Sequence, residues 1–143
     1  MSEFVHVVCP ACAALNRVPA GRIGAAPVCG RCKTALFAGK PLALDAASFD
    51  RHAGRGDLPL LVDFWAAWCA PCRMMAPEFE RAAQRLEPGF RLAKIDTDAQ
   101  PALAGRYAIR SIPTLILFRG GAEIARRAGA MPAADIERWV RTV

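Results

Sequence analysis

Two apolar runs stand out in the hydrophobic pattern, at residues 58–65 and 114–118. The first reads Leu-Pro-Leu-Leu-Val-Asp-Phe-Trp and is broken in its middle by one charged residue, Asp63. Short apolar runs bounded by turn residues predict buried strands. Residues 90–95 predict a third strand with Asp96 at its end, and residues 42–44 a short one. Residues 123–128 predict an edge strand, joined to 114–118 through a hairpin turn at Gly120-Gly121. Helices are predicted over 73–86, 101–107 and 133–142, the last with Ile136, Trp139 and Val140 on one face. A shorter helix runs from an N-cap at Ser48 to about Ala53, with His52 on its surface, and a loop follows at 54–57. Pro77 lies inside the 73–86 pattern, where proline removes one hydrogen bond and bends a helix. Strands alternating with helices and closing on a hairpin imply an α/β fold, a central mixed sheet flanked by helices on both faces.

The first forty residues follow a different pattern. Only residues 3–8 alternate, weakly, as a short strand, and large apolar side chains are few. A piece of this size buries too little apolar surface to fold unaided and needs a staple. Ala38-Gly39-Lys40-Pro41 marks a boundary, which divides the chain into a module at 1–40 and a larger domain at 41–143.

Composition narrows the functional classes. The 143 residues are 54% hydrophobic, enough for one packed domain with a small module. No apolar stretch is long enough to span a bilayer. The N-terminus has neither the basic nor the apolar region of a signal peptide. The expected address is therefore cytoplasmic, where structural disulfides are rare. Six cysteines then call for metal, catalysis or both. The net charge of +6 invites a nucleic-acid reading, but residues 1–40 hold five Lys/Arg against one Asp/Glu, and 41–143 hold 14 against 12. Four thiolates around a zinc ion reduce the first part to +2, no run of like charges remains, and no nucleic-acid or membrane partner is expected.

Four of the cysteines form Cys9-x2-Cys12 and Cys29-x2-Cys32, sixteen residues apart, a spacing suited to a four-cysteine zinc site. Each pair makes a tight turn, with Pro10 and Gly30 as turn residues. Four thiolates close a tetrahedral coordination sphere, so a metal held this way is structural, one Zn²⁺ per chain. Four unpaired cysteines, two disulfides, or His6 in place of one cysteine are the competing readings.

The remaining pair lies in Trp68-Cys69-Ala70-Pro71-Cys72, between the 58–65 strand and the 73–86 helix. The i, i+3 spacing puts both sulfurs on one face of a first helical turn. Free N–H groups and the dipole at a helix start stabilise a thiolate, which marks Cys69 as the attacker. Pro71 fits the first turn, where its missing N–H costs little. Asp63, in the middle of an apolar strand, is costly to ionise and suits acid–base work, unless it faces solvent at a strand end. Lys94 on the neighbouring strand is placed to face it. Ile112-Pro113 precedes a buried strand, and cis is the minority expectation for such a bond.

These residues carry a resemblance. Trp68-Cys69-Ala70-Pro71-Cys72, with Asp63 upstream and Ile112-Pro113-Thr114 downstream, resembles the thioredoxin family from about Leu42 to Val143, with Phe64-Trp65, Pro77, Lys94, Asp98, Gly121 and Gly129 also matching. With the four-cysteine module, the whole chain is similar to the zinc-containing bacterial branch, the thioredoxin-2 type. The resemblance implies a thioredoxin fold with an N-terminal zinc ribbon and the reduction of protein disulfides. Cys69 would attack, Cys72 would resolve, Asp63 would accept a proton from Cys72 through water, and Lys94 would tune it. Pro113 would be cis and face the dithiol, while Trp68, Ala70, Pro71, Ile112 and Gly129 would contact substrate. It further implies recharging by an NADPH-dependent thioredoxin reductase, no organic cofactor, a monomer, and a part in cell redox homeostasis and the oxidative-stress response. The family usually carries Gly-Pro between the cysteines, and Ala70-Pro71 here bears on redox poise. Arg73 stands where Lys is frequent and keeps the positive charge. Two other readings stay open: a zinc-ribbon binding or adaptor module, and a disulfide oxidant or isomerase.

Overall fold

A computed structural model describes residues 3–143; Met1 and Ser2, counted above with the N-terminal module, lie outside the described residues. Strands β1 (Phe4–Val8) and β2 (Leu15–Pro19) pair antiparallel as a two-stranded ribbon. Then come β3 (Leu42–Ala43), α1 (Ala46–Arg55), β4 (Leu60–Trp65), α2 (Ala70–Leu86) and β5 (Arg91–Asp96). The chain closes with α3 (Pro101–Arg106), β6 (Thr114–Arg119), β7 (Ala122–Ala128) and α4 (Ala133–Thr142). The last five strands form one sheet in the order β3-β5-β4-β6-β7. β3 and β4 run parallel to β5, and β6 and β7 are antiparallel additions.

β4 is central because helices cover both of its faces, and its run is correspondingly apolar on both. Leu61 packs with Met75, Phe79 and Ala83 of α2, with Ile136 and Val140 of α4, and with Leu92, Leu115 and Leu117. Leu60, Val62 and Phe64 point the other way, to Phe49 and Ala53 of α1, Leu103 of α3, and Ile116 and Phe118. Gly120 and Gly121 turn the β6–β7 hairpin with φ of +58° and +82°, a backbone that L side chains rarely adopt.

Several local expectations shift. β4 starts at Leu60, not at residue 58, because Leu58 packs into the N-terminal module's apolar cluster. α1 is capped by Asp45, not Ser48. Asp45 Oδ1 accepts from Ser48 N at 2.9 Å, and Ser48 Oγ accepts from Asp45 N at 2.9 Å, a reciprocal box with Ser48 at the third helical position. α2 starts at Ala70 rather than 73, so the second cysteine of the pair lies inside the helix. His52 is interior, not on the surface. It lies among Val7, Val8, Leu58 and Arg91, and burial, with the charges of Arg91 and Arg51, pushes its pKa down to about 4.

The N-terminal module seats on one pole of the large sheet. Asp57 N donates to the His6 carbonyl at 2.8 Å, and His6 N and Nδ1 meet Asp57 Oδ2 at 2.7 and 2.8 Å. Arg91, at the start of β5, is 3% exposed. Its Nη2 donates to the Val8 carbonyl at 3.3 Å, and its guanidinium lies 4.8 Å from the Phe37 ring centre. Glu87 faces it at 3.6 Å and accepts from Gly39 N at 3.0 Å. These contacts all lie at the start of β4 and β5 and the end of α2. From Cys69 to Gln84, α2 rises about 22 Å, so the module sits far from the helix start.

Glu87 and Arg91 are both only 4% exposed, and burial pushes the Glu87 carboxyl up despite the neighbouring cation. Removing one member of such a pair strands a buried charge. Arg91→Ala is expected to destabilise the protein by about 3 kcal/mol in urea denaturation, and the double variant Arg91→Met/Glu87→Gln by clearly less. Equal losses would mean that packing, not the stranded charge, sets the cost.

Candidate functional site

β4 ends at Trp65, a turn of four residues follows, and α2 begins. Cys69 is the N-cap of α2, and its Sγ accepts from Cys72 N at 3.2 Å. Free N–H groups at a helix start favour any anion placed there. Cys69 and Cys72 are joined as a disulfide, their Cα atoms 5.2 Å apart. Both are buried and pack with Ala66, Trp65 and Ile112. Arg73 Nη1 donates to the Ala67 carbonyl at 2.8 Å and closes the turn before the helix.

Asp63 lies on the face of β4 that also carries Leu61, the face covered by α2. Its strand neighbours are Lys94 on β5 and Leu115 on β6. The carboxyl is fully buried, and neither oxygen has a hydrogen-bond partner. Burial pushes its pKa up to about 7, against the opposing pull of Lys94. Lys94 Nζ in turn lies 4.4 Å from the Trp65 ring centre. So a carboxyl that exchanges its proton near neutrality lies under the helix that bears Cys72.

Ile112-Pro113 is cis, and the Ile112 carbonyl lies 3.6 Å from Cys69 Sγ. Gly129 N donates to the Pro113 carbonyl at 2.9 Å, and Gly129 holds φ at +97° with open space where a Cβ would stand. Trp68 is 68% exposed and donates from Nε1 to Asp98 Oδ2 at 2.9 Å. Ala70 and Pro71 are exposed beside it. Trp68, Thr97, Ile109, Ser111 and Ile112 line a shallow groove beside the dithiol. The fold therefore gathers Asp63, Trp68, Cys69, Ala70, Pro71, Cys72, Lys94, Ile112, Pro113 and Gly129 around one end of the sheet. Sequence reasoning assigned no part to Ile109 and Ser111 of the groove, nor to Asp98 as the anchor of the Trp68 ring. No spacing signal marks them, because each reaches the site by a loop far along the chain.

A second cluster lies at the other pole. Cys9, Cys12, Cys29 and Cys32 bring their sulfurs within 4.8 Å of one another. The two cysteine turns have the same backbone plan. Cys9 N bonds the Ala14 carbonyl and Cys29 N the Thr34 carbonyl, while Ala13 and Lys33 take positive φ just after the second cysteine. Amide N–H groups of Ala11 and Cys12 point at Cys9 Sγ, and that of Arg31 at Cys29 Sγ. Hydrogen bonds, first from the Cys32 backbone and then from Asn16, hold the Cys29 pKa down to about 6. A tetrahedron with Zn–S bonds of about 2.3 Å separates its sulfurs by about 3.8 Å. The Cys9–Cys32 and Cys12–Cys29 separations are both 3.6 Å, so the four residues fit a zinc ion. His6 is taken up by Asp57 and is no part of the cluster.

Comparison with known proteins finds likenesses over both parts of the chain. A family model described as Thioredoxin matches residues 40–142, and one described as Thioredoxin 2, N-terminal matches residues 8–34. Thioredoxin C-3 of Corynebacterium nephridii is 42% identical over 134 residues, 94% of this chain and 92% of that protein. Thioredoxin of Porphyra purpurea is 45% identical over 91 residues, 64% of this chain and 85% of that protein. Among solved structures, a single-substitution mutant of the thioredoxin from Halobacterium salinarum NRC-1 is 31% identical, with a TM-score of 0.67, over 74% of this chain and 92% of that one.

The Asp63 carboxyl sets a pH dependence. The native state keeps this proton up to about pH 7, while the ordinary value is 3.8. Between these values the native state binds more protons than the unfolded chain, so this group's contribution to stability falls as pH rises. Asp63→Asn is expected to be more stable than wild type at pH 8, with the gain fading towards pH 4 in urea titrations. A gain independent of pH would show that the group does not titrate in this range.

Proposed function

The chain belongs to the thioredoxin family, and from that membership we propose that it reduces protein disulfides by a two-cysteine cycle run through Cys69 and Cys72. The observation that carries this reading is the dithiol capping α2 above a buried, unpartnered Asp63. In the reduced protein the Cys69 thiolate, stabilised by the helix N-terminus, attacks one sulfur of a substrate disulfide. The substrate S–S bond breaks, one substrate sulfur leaves as a thiolate, and a mixed disulfide forms. Asp63, through water, then takes the proton of Cys72, and the Cys72 thiolate attacks Cys69 Sγ. The second substrate sulfur leaves, and the protein is left with the Cys69–Cys72 disulfide. Lys94 moderates the basicity of Asp63. Trp68, Ala70, Pro71, Ile112, Pro113 and Gly129 form the docking wall, where the backbone beside Pro113 pairs with an extended substrate.

Residues 1–40 form a zinc-ribbon module and 41–143 the thioredoxin domain. Cys9, Cys12, Cys29 and Cys32 hold one structural Zn²⁺, which cross-links a module whose apolar cluster is small. An NADPH-dependent thioredoxin reductase recharges the dithiol, and the protein serves redox homeostasis and the oxidative-stress response as a cytoplasmic monomer. The address rests on the family and on ribbon thiols that need a reducing compartment to stay free. No described helix is long and apolar enough to cross a membrane.

In an assay with NADPH, a thioredoxin reductase and insulin, wild type is expected to turn over and Cys69→Ser to be inactive. Cys72→Ser is expected to accumulate a mixed disulfide, visible by mass spectrometry. No turnover by a wild type with a reducible dithiol would overturn the reductase reading in favour of an oxidant or a binding module. Metal analysis is expected to find one zinc per chain, lost in Cys12→Ser while the five-stranded sheet persists by circular dichroism. Full zinc content in Cys12→Ser would exclude the four-cysteine site.

A further inference from the structure

The ribbon module concentrates cations that the fold leaves without carboxylate partners. Its five are Arg17, Arg22, Arg31, Lys33 and Lys40, against a single acid, Glu3. Among the described residues none of the five makes an ion pair. Arg17 lies over the Phe4 ring at 4.3 Å, and Lys33 Nζ donates to the Gly30 carbonyl at 2.9 Å. In the larger domain six of the fourteen, Arg81, Arg85, Arg91, Arg106, Arg126 and Arg138, each face a carboxylate.

Two of the ribbon arginines face one groove. It occupies about 410 Å³ beside β2 and is lined by Arg17 and Arg22 together with Pro19, Pro27, Val28 and Gly30. Arg22 closes a short 3-10 turn, Ala20–Arg22, and both arginines are exposed. Val28 is 53% exposed and gives the groove an aliphatic surface. The groove thus combines cationic side chains with an apolar wall. It shares no residue with the groove beside Trp68.

The chemistry of the walls selects the occupant. Single-stranded nucleic acid is held by aromatic platforms on which bases stack, and no aromatic residue lines this groove. An extended acidic polypeptide needs what is present: two guanidiniums for carboxylates and an aliphatic surface for one side chain. We propose that this ribbon groove is a second docking surface that binds an acidic, extended segment of a partner protein at the pole opposite the dithiol. Arg17 and Arg22 pair with its carboxylates, and Val28 packs against an apolar residue between them. This surface acts independently of the thiol chemistry.

The test uses the full-length, zinc-loaded protein and a dye-labelled peptide, Glu-Glu-Leu-Glu-Glu flanked by glycines, followed by fluorescence anisotropy at low salt. Saturable binding is expected, weakened at least tenfold by Arg22→Glu and by Arg17→Ser, and several-fold by Val28→Ser. Insulin reduction and zinc content stay at wild-type values. Arg22 is exposed, and among the described residues its side chain makes no ion pair, so Arg22→Glu decides the matter even if loss of the Arg17–Phe4 contact loosens the ribbon. Peptide affinity unchanged in zinc-replete Arg22→Glu overturns the proposal. So does equal binding of the peptide with Lys in place of Glu, or tighter binding of an oligothymidylate than of the acidic peptide.

Discussion

A carboxyl group with no hydrogen-bond partner lies in the middle of the main sheet, and much of the architecture is arranged around it. An ionised carboxylate in apolar surroundings is expensive, so Asp63 holds its proton to about pH 7 instead of 3.8. Such a group persists only where the surrounding packing is strong enough to offset its cost. Here β4 is hydrogen-bonded on both sides, and both of its faces are covered by helices. Lys94, directly across on β5, keeps the pKa from rising further. The same packed face of the sheet supports α2, whose first turn holds the dithiol. The buried carboxyl and the cysteine pair are therefore parts of one packed unit.

The two ends of that unit have different jobs. At the C-terminal end of β4 the backbone is arranged around sulfur, with the Cys72 amide donating to Cys69 and the Ile112 carbonyl beside it. At the other end the ribbon is fastened by the buried Arg91–Glu87 pair and by exposed hydrogen bonds between Asp57 and His6. A small module with few apolar side chains cannot hold its shape by burial alone, and four convergent sulfurs are placed where a metal ion would supply the missing cross-link. The two cysteine sets thus solve separate problems. One lies at a helix start, where a thiolate is stabilised, and the other brings four sulfurs to the spacing that a metal ion requires.

Much of the site was legible along the chain. Asp63 was conspicuous because it broke an apolar run, and Cys69 and Cys72 because their spacing matched a helical turn between a strand and a helix. The ribbon cysteines announced themselves by two equal spacings. One error arose where a residue's surroundings come from distant chain, and another from a choice between two neighbouring cap residues. His52 looked like a surface residue on a short helix, yet the ribbon strand β1 covers it. Ser48 looked like a cap, yet Asp45, three residues earlier, takes that place because the two side chains bond reciprocally. Arg91, which carries no local mark of its role, is the buried link to the module.

Short-range chemistry was enough to specify the strands and helices of the larger domain, the hairpin at Gly120-Gly121, and the division of six cysteines into a dithiol and a four-sulfur cluster. These depend on residues within a few positions of one another. Other features came into view only with the folded chain: Ile112 meets Cys69, Asp98 anchors Trp68, and Arg91 reaches the Val8 carbonyl. These partners lie 43, 30 and 83 residues apart, and nothing local encodes them. They follow from strand order and helix placement, which the packing of the whole core selects.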